Sequence, residues 1–318
     1  MSTTTKVSVC IPIYNVAAYI ERCARALFEQ TMQEGIEFIF VNDCTPDQSL
    51  EILERVLSDY PHRKASVKII HHKKNQGLSV ARQTALKHAS GTYIIHCDSD
   101  DWVDRDYYEA MYRTAAATQA DIVYSSYVQD DGKDSQVLTT IAAYSTPMAL
   151  LNGILGNNLH WNVWAKLVHR RLALATDLVV LPEVCFGEDL LLSAQLIAKA
   201  STVAYCADSK YHYFCKNETS YTRTFSRKSL NQLMCALKTL QRVLPVTAAM
   251  SGCKGEILFK AVFYHLMTPK EFKSYARGSR SEILKTSTFS RIKRLILLYA
   301  FISYRLAAWT CKVLRKLR

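Results

Sequence analysis

A short apolar run that ends in a cluster of acids constrains this chain more than any other feature. The stretch from Gly91 to Asp104 reads GTYIIHCDSDDWVD. The run Tyr93–Ile95 is typical of a buried strand, and Asp98, Asp100 and Asp101 follow at its tip. These carboxylates repel one another, so a cation or a ring of hydrogen-bond donors must neutralise them. Mg²⁺ or Mn²⁺, commonly shared with substrate phosphates, fits that need, and a solvated acidic turn that caps the next helix is the simpler alternative.

Three strands that alternate with helices are predicted before this stretch, at Lys6–Ile11, Glu37–Val41 and Val67–Ile70. Pro12 is expected to close the first strand because it has no N–H group. Asn15 is expected to cap the first helix, and Thr45 to cap the second in a capping box with Gln48. The third helix runs through Ala81, Ala85 and Ala89 to Gly91. The alternation predicts an α/β fold with a parallel, right-handed sheet covered by helices on both faces.

The carboxyl ends of these strands carry the polar residues of the first hundred positions. Ligands of such sheets bind beyond the carboxyl ends of the strands. We therefore expect Pro12–Asn15, Asp43 and Asp98–Asp101 to lie at one edge of the sheet.

The remaining chain is predicted as a closing α/β segment followed by helices. Its elements are a helix at Asp106–Gln119, strands at Asp121–Val128, Val203–Cys206 and Tyr211–Phe214, and a surface loop at Gln129–Gln136. Glu188 and Asp189 precede an apolar helix, where the helix dipole favours anions. Helical patterns dominate from Ser226 onward, so we expect a catalytic domain at 1–225 and a helical region at 226–318.

The positive charge is confined to the end of the chain. The net charge is +12, and from Lys270 onward 13 Lys/Arg face 2 Asp/Glu, against 27 and 26 before it. This distribution argues against a nucleic-acid-binding face on the main domain. The ten cysteines form no CxxC pair, which argues against zinc and disulfides and favours reduced thiols in the cytoplasm. The polar N-terminus argues against a secretion signal.

Residues 289–318 have the composition of a membrane-surface helix. They contain eight Lys/Arg and no acid, and their apolar run Leu295–Tyr304 is too short to span a bilayer. We expect a basic amphipathic helix on an anionic membrane, with the protein peripheral at the inner face of the cell membrane. The alternative is a helix that packs on the catalytic domain.

Five segments together resemble the family 2 glycosyltransferases, the inverting enzymes with the GT-A nucleotide-sugar fold. They are VSVCIPIYN, VNDCTPDQS, NQGLSVARQTAL, GTYIIHCDSDDW and FGEDLLLSAQL, in the family's order. The resemblance runs from about Val7 to about Tyr221. The chain has no Gln-x-x-Arg-Trp motif after the acidic pair, so a processive synthase is not expected.

The resemblance implies a role for each matching residue. Pro12 and Tyr14 would line the base pocket, and Asp43 would contact the base or ribose. Arg82 would meet the pyrophosphate. Asp98 and Asp100 would form the metal-binding DxD-type motif, with Asp98, Asp100 and Asp101 as candidate metal residues and Asp100 or Asp101 linking the ion to the diphosphate. Asp98 and Ser99 would also contact the nucleotide sugar. Asp189 and Glu188 would be the catalytic pair, with Asp189 as the general base. Apart from the resemblance, Tyr213, Asn217 and Ser220 are candidates for the border of the acceptor site.

The implied activity is one sugar transfer with inversion, from a UDP-sugar to an acceptor hydroxyl. The acceptor would be a glycan or a lipid-linked intermediate of cell-surface polysaccharide or glycolipid assembly. Two alternatives remain: a nucleotidyltransferase, for which a Gly-rich and basic phosphate loop would be expected where the chain has IPIYN, and a sugar-nucleotide-binding scaffold without catalysis.

Overall fold

The computed structural model describes residues 4–132, 135–138, 144–156, 159–217, 225–244, 250–286 and 289–316. The chain divides into two compact units. The first unit comprises Met1–Pro147, Asn162–Glu183 and Leu196–Ser220, and the second comprises Met148–Trp161, Val184–Gln195 and Tyr221–Arg318. The boundary at residue 225 that the sequence suggests stays a prediction.

The first unit contains a single mixed sheet, built in the described residues from nine strands. The strands are β1 (Val7–Ile13), β2 (Ile36–Asn42), β3 (Val67–His71), β4 (Tyr93–His96), β5 (Trp102–Val103), β6 (Ile122–Asp130), β7 (Ser135–Leu138), β8 (Lys166–His169) and β9 (Val203–Phe214). Their order is β3-β2-β1-β4-β8-β6-β9-β5, with β7 beside β6. The four strands β3, β2, β1 and β4 are parallel to one another, and β6 is parallel to β9. Strand β8 is antiparallel to both of its neighbours, β4 and β6.

The described helices follow the alternation in the first half of the chain and then dominate the second unit. They are α1 (Ile20–Phe28), α2 (Ser49–Ser58), α3 (Leu78–His88), α4 (Tyr107–Thr118), α5 (Pro147–Leu155), α6 (Arg170–Ala173), α7 (Glu188–Lys199), α8 (Arg227–Val243), α9 (Met250–Phe263), α10 (Pro269–Ala276), α11 (Arg280–Lys285), α12 (Arg291–Ile302) and α13 (Tyr304–Lys316).

Two apolar cores lie on opposite faces of the parallel strands. On one face α1, α2 and α4 pack against residues such as Val9, Phe38 and Ile95. On the other face α3 packs against Cys10 and Ile39. Adjacent residues of a strand point to opposite faces, so a strand buried on both faces is apolar throughout. The α/β fold with helices on both faces of the sheet is thus confirmed.

The first strand does not end before Pro12, as the sequence suggested, but continues to Ile13. The reason lies in its neighbours. β4 pairs with β1 only over Val7–Cys10, so beyond Cys10 one edge of β1 has no ladder that needs an N–H donor. The other edge remains paired with β2, where Pro12 faces Val41.

Both helix caps predicted in the first sixty residues are wrong. α1 begins at Ile20, after Tyr19, and Asn15 takes a left-handed φ of 56° instead of capping it. α2 begins at Ser49, after Gln48, without a side-chain cap. The hydroxyl of Thr45 instead donates to Asp47 at 2.6 Å, so the residues before α2 form a polar turn.

Three other predictions need correction. Gln129 and Asp130 belong to β6 and pair with Gln136 and Ser135 of β7, so both ends of the predicted surface loop are strand residues. Residues 133 and 134 of that loop lie outside the described ranges. The two short strands after residue 203 form one strand, β9, with a register shift opposite Ser125 and Tyr127 of β6. The C-terminal basic helix is two helices, because Ser303 is extended between α12 and α13.

The second unit is organised around α9, which packs against α8, α10, α11, α12 and α13. The side chains of Ile257, Leu258 and Ala261 on α9 are fully buried. In the ranges that the structure describes, no helix combines the length and the apolar content needed to cross a membrane.

Candidate functional site

The tips of three neighbouring parallel strands carry the residues predicted to bind nucleotide. Tyr14 follows β1, Asp43 follows β2, and Asp98 lies just after β4. Backbone hydrogen bonds extend the pairing past the strand ends, from Asp43 N to Ile13 O at 3.0 Å. Tyr14 is 49% exposed, whereas Pro12 is buried in the sheet. The predicted meeting of these segments at one edge of the sheet is therefore confirmed.

The loop after β1 is fixed by the polar turn before α2. The N–H of Asn15 donates to the Thr45 hydroxyl at 2.8 Å, and the N–H of Ala17 donates to the Asp47 carboxylate at 2.8 Å. The N–H of Val16 donates to the Ser49 hydroxyl at 3.1 Å. Three consecutive N–H groups thus find side-chain acceptors in the turn before α2 and in its first residue, and Tyr14 lies exposed just before them.

The carboxylate of Asp43 is almost completely buried and is bonded within the protein. Its Oδ1 accepts from the N–H of Gln76 at 2.8 Å, and its Oδ2 accepts from the N–H of Gly77 at 2.8 Å. His72 Nδ1 lies 2.6 Å from Oδ1, and His72 Nε2 lies 2.9 Å from the Thr84 hydroxyl. Asp43 therefore fixes the turn that begins α3, and a contact with the base or ribose stays a prediction.

Arg82 brings α3 to the acidic segment. It is 5% exposed, and its Nη2 donates to Oδ1 of Asp98 at 2.9 Å. Burial and the nearby Arg82 charge lower the pKa of His96, at the end of β4, to about 3. His96 is therefore neutral at physiological pH, and the positive charge next to Asp98 comes from Arg82.

Asp100 accepts a hydrogen bond from a residue far along the chain. Nδ2 of Asn217 donates to Oδ2 of Asp100 at 2.7 Å, and Asn217 itself is 4% exposed. Burial, and next the negative charge of Asp98, raise the pKa of Asp100 to about 6, although the bond from Asn217 lowers it. Asp100 is thus a carboxylate whose environment demands a counter-charge.

Asp101 differs from Asp100 because its carboxylate is fully buried and bonded on both oxygens. Tyr211 Oη donates to Oδ2 at 2.7 Å, and the N–H of Phe214 donates to Oδ1 at 2.8 Å. Tyr211 Oη also accepts from the N–H of Asp98 at 3.0 Å. Burial, and then the charges of Asp100 and Asp98, raise its pKa well above the usual range. Asp101 thus connects the acidic segment to β9, and Ser99 is buried between its neighbours.

A stack of side chains fixes the residues that follow the acids. The guanidinium carbon of Arg22 lies 3.7 Å from the Trp102 ring centroid, and the Trp102 and His212 rings are stacked 5.1 Å apart. Arg22 Nη2 also donates to the backbone oxygen of Asp100 at 2.8 Å. His212 Nε2 lies 2.7 Å from Oδ1 of Asp104. Contacts from α1 and β9 on both sides of Trp102 give the acidic segment a defined conformation.

The donor set of the acidic segment fits a hard divalent cation shared with a ligand. Within the described part of the chain, no three Asp, Glu, His or Cys side chains converge as a cation site of their own. Mg²⁺ and Mn²⁺ are commonly bound by one or two carboxylates, with waters and phosphate oxygens completing the coordination. Asp100 fits such a role better than Asp101, whose two oxygens already accept hydrogen bonds.

Glu188 and Asp189 belong to the second unit, at the first turn of α7. Both are half-buried, and Gly187 before them has a φ of +94°. A Cβ on Gly187 would lie 2.9 Å from a methyl carbon of Leu233, so both the backbone conformation and the packing require glycine here. The helix N-terminus favours carboxylates at these positions.

The profile of the family described as Glycosyl transferase family 2 matches residues 8–173, which cover β1 to β8 and the whole acidic segment. The chain belongs to this family. It is also 34% identical over 220 residues to the uncharacterized glycosyltransferase EpsJ of Bacillus subtilis (strain 168). The matched region covers 65% of this chain and 60% of the length of EpsJ.

Several solved structures share the fold of this chain. The crystal structure of S. aureus TarS 1-349 in complex with UDP-GlcNAc matches with a TM-score of 0.70 and 17% identity, covering 98% of this chain and 91% of that one. The mannosyltransferase PcManGT from Pyrobaculum calidifontis in complex with GDP-Man and Mn²⁺ matches with a TM-score of 0.58 and 16% identity, covering 96% and 86%. At these identities the likeness shows the fold alone, which is GT-A, as the sequence predicted.

The contacts from β9 are what sequence reasoning missed. The sequence pattern places Tyr211 only in a strand and Asn217 only at the border of an acceptor site, yet both donate to the acidic segment. Ser220, the third residue predicted after Tyr213 and Asn217, lies outside the described residues. The sequence offers one indication of these contacts, which is that polar residues lie among the apolar ones at the end of β9 and just after it. That signal does not name their partners, which lie more than a hundred residues earlier.

Proposed function

We propose that this protein is an inverting, non-processive glycosyltransferase of the EC 2.4 class that uses a UDP-sugar. The observation that carries the proposal is the family's acidic segment, which lies at the tip of β4 beside the tips of β1 and β2. Ligands of parallel α/β sheets bind at such an edge. The fold match to TarS with bound UDP-GlcNAc supports a nucleotide-sugar donor, and UDP in particular.

In this proposal the residues at each strand tip bind a different part of the donor nucleotide sugar. Tyr14 and Pro12 receive the base, since Tyr14 is an exposed ring at the end of a rigid strand. Arg82 and Asp98, paired at 2.9 Å, face the diphosphate side, with Ser99 next to them. An arginine shared between a carboxylate and a phosphate can transfer hydrogen bonds to the ligand when it binds. Asp43 acts indirectly, by fixing the turn that begins α3.

Mg²⁺ or Mn²⁺ is proposed as the cofactor, with Asp100 as its protein ligand. An ion bound there would act as a Lewis acid that stabilises the negative charge of the diphosphate leaving group. Asn217 keeps Oδ2 of Asp100 in a fixed orientation through a 2.7 Å hydrogen bond. The fold match to a mannosyltransferase with bound Mn²⁺ supports this choice.

Asp189 is proposed as the general base that takes the proton from the acceptor hydroxyl. Asp189 lies in the first turn of α7, where the helix dipole favours anions, and a general base must be placed to accept the proton of the attacking hydroxyl. Attack by the deprotonated oxygen on the anomeric carbon, with departure of the nucleotide diphosphate from the opposite side, inverts the configuration in one displacement. Glu188, one residue earlier, is proposed as the second catalytic residue of this acidic pair.

The experiment is a screen of nucleotide sugars for hydrolysis in the presence of Mn²⁺, followed by NMR of the first-formed anomer. We expect hydrolysis of one UDP-sugar with inverted configuration. Asp189→Asn should bind UDP like the wild type but lose activity by at least about a hundredfold. Asp208→Asn, which changes an exposed carboxylate paired with Arg113, is the matched control. Wild-type activity in Asp189→Asn would place the base elsewhere.

We further propose that the acceptor is a glycan or lipid-linked intermediate and that the protein contacts an anionic membrane through α12 and α13. One face of these helices packs on α9, with Leu297, Ala300 and Cys311 buried. The other face exposes Ile302, which is 68% exposed, and Trp309, which is 63% exposed. Exposed apolar side chains beside Lys and Arg are the features of interfacial helices.

A further inference from the structure

The second unit contains a groove that the proposed transfer chemistry does not use. Its volume is about 960 Å³, within the range of roughly 300–1,000 Å³ that is usual for ligand sites. Residues of α8, α9 and α10 line it. All of them belong to the second unit, so the groove can be considered separately from the strand tips of the first unit.

The groove has a strong excess of positive charge. Its lining includes five cationic side chains and one carboxylate, Glu271. The guanidinium of Arg227 forms an ion pair with Glu271 at 2.5 Å, so that carboxylate is already neutralised. The remaining four cations are Lys238, Lys254, Lys270 and Arg277.

Three of the four cations are exposed and available to a ligand. Lys238, Lys270 and Arg277 are exposed, and the described residues place no carboxylate within ion-pair distance of any of them. Lys254 is half-buried at the wall of the groove, where its Nζ donates to the Ser279 hydroxyl at 2.6 Å. Like charges that line one concave surface repel each other and attract anions.

Apolar side chains lie among these cations. Met234, Met267 and Tyr275 line the same groove, and Lys254 Nζ lies 5.5 Å from the centroid of the Tyr275 ring. A single phosphate ion would neutralise only part of the four charges and would leave this apolar surface in contact with water. A ligand in which phosphates alternate with short carbon segments would satisfy both parts of the lining.

We propose that this groove binds an oligomeric phosphodiester, a chain of polyol units joined by phosphates, and so holds a phosphate-bearing acceptor. The role as acceptor rests on the proposed transferase function, whereas the binding of the phosphodiester does not. The proposed acceptor is therefore more specific than a glycan in general: it is an anionic polymer or intermediate with repeated phosphodiester links.

The test is fluorescence anisotropy with a fluorescein-labelled oligomer of glycerol phosphate and the full chain, without nucleotide sugar. We compare the wild type with Lys238→Glu/Lys270→Glu/Arg277→Glu. The matched control is Lys228→Glu/Lys273→Glu/Lys285→Glu, which changes three exposed lysines of the same unit outside the groove and alters the net charge equally. Circular dichroism checks that both triple variants are folded.

We expect salt-sensitive binding that the groove variant weakens by at least about tenfold, and the control by about threefold or less. Absence of binding to the wild type, or equal weakening in both variants, would overturn the proposal, since only net charge would then matter. Phosphatidylglycerol vesicles distinguish the lipid source: vesicle binding that depends on the groove residues, without oligomer binding, would also overturn it. Donor hydrolysis is measured separately, so failure here leaves the transferase proposal intact.

Discussion

Nδ2 of Asn217, just beyond β9, donates a 2.7 Å hydrogen bond to Oδ2 of Asp100, 117 residues earlier in the chain. This contact joins the residues just after β9 to the acidic segment at the proposed cation ligand. It also separates Asp100 from Asp101, which is bonded to Tyr211 and Phe214 instead. Two adjacent carboxylates thus have different environments, so substitutions at Asp100 and Asp101 should affect UDP binding and stability differently.

Asn217→Ala should weaken Mn²⁺-dependent binding of UDP by about tenfold or more, because the variant removes a buried hydrogen bond to a charged group that orients Asp100. Isothermal titration measures this affinity. Lys216→Ala, at the exposed neighbouring residue, is the control and should bind UDP like the wild type. Equal affinities in Asn217→Ala and the wild type would show that Asn217 does not position Asp100.

Asp100→Asn and Asp101→Asn should have opposite effects although the chemical change is the same. Asp101→Asn replaces an oxygen acceptor that faces a donor in the core, so it should lower the free energy of unfolding by about 1–3 kcal/mol. Asp100→Asn removes one of several repelling charges, so it should unfold at the same or a higher denaturant concentration but lose Mn²⁺-dependent UDP binding. Urea denaturation and titration of both variants check this; stability lost only in Asp100→Asn would reverse the assignment.

Glu37 on β2 should make the stability of the first unit depend on acid pH. Burial alone would raise its pKa, but hydrogen bonds from Lys68, Ser8 and Ser90 outweigh burial and lower it. A carboxyl group whose pKa is lower in the folded state stabilises the fold above its unfolded pKa, and this contribution is lost as the pH falls through its folded pKa.

Glu37→Gln should therefore lower the free energy of unfolding by about 2 kcal/mol at neutral pH and by less as the pH falls. Urea denaturation at a series of pH values measures the difference. Glu54→Gln, at an exposed position on α2, is the control. A difference between wild type and Glu37→Gln that does not change with pH would contradict the assigned cause.

Replacing exposed apolar residues of α12 and α13 should release the protein from anionic vesicles. The variant Leu295→Gln/Ile302→Gln/Trp309→Gln changes three exposed side chains and leaves the buried face on α9 intact. Met148→Gln/Leu174→Gln/Val243→Gln, three exposed apolar residues elsewhere, is the control and should still float with the vesicles. If both variants float like the wild type, the membrane proposal is wrong.

The sequence predicted those parts of the fold that depend on neighbouring residues. The four parallel strands and the acids at the tip of β4 were predictable because apolar runs and polar tips repeat at short intervals. The end of β1 was not, since the pairing limit of β4 at His96 decides whether Pro12 is tolerated. Nor could the sequence choose between Asp100 and Asp101, because their partners lie on or just after β9.

The most direct test of the account is isothermal titration of UDP into the wild-type protein with and without Mn²⁺. We expect that Mn²⁺ strengthens UDP binding to the wild type by at least about tenfold and has no effect on UDP binding to an Asp100→Ala variant. No UDP binding, or binding that is the same with and without Mn²⁺ in the wild type, would contradict it.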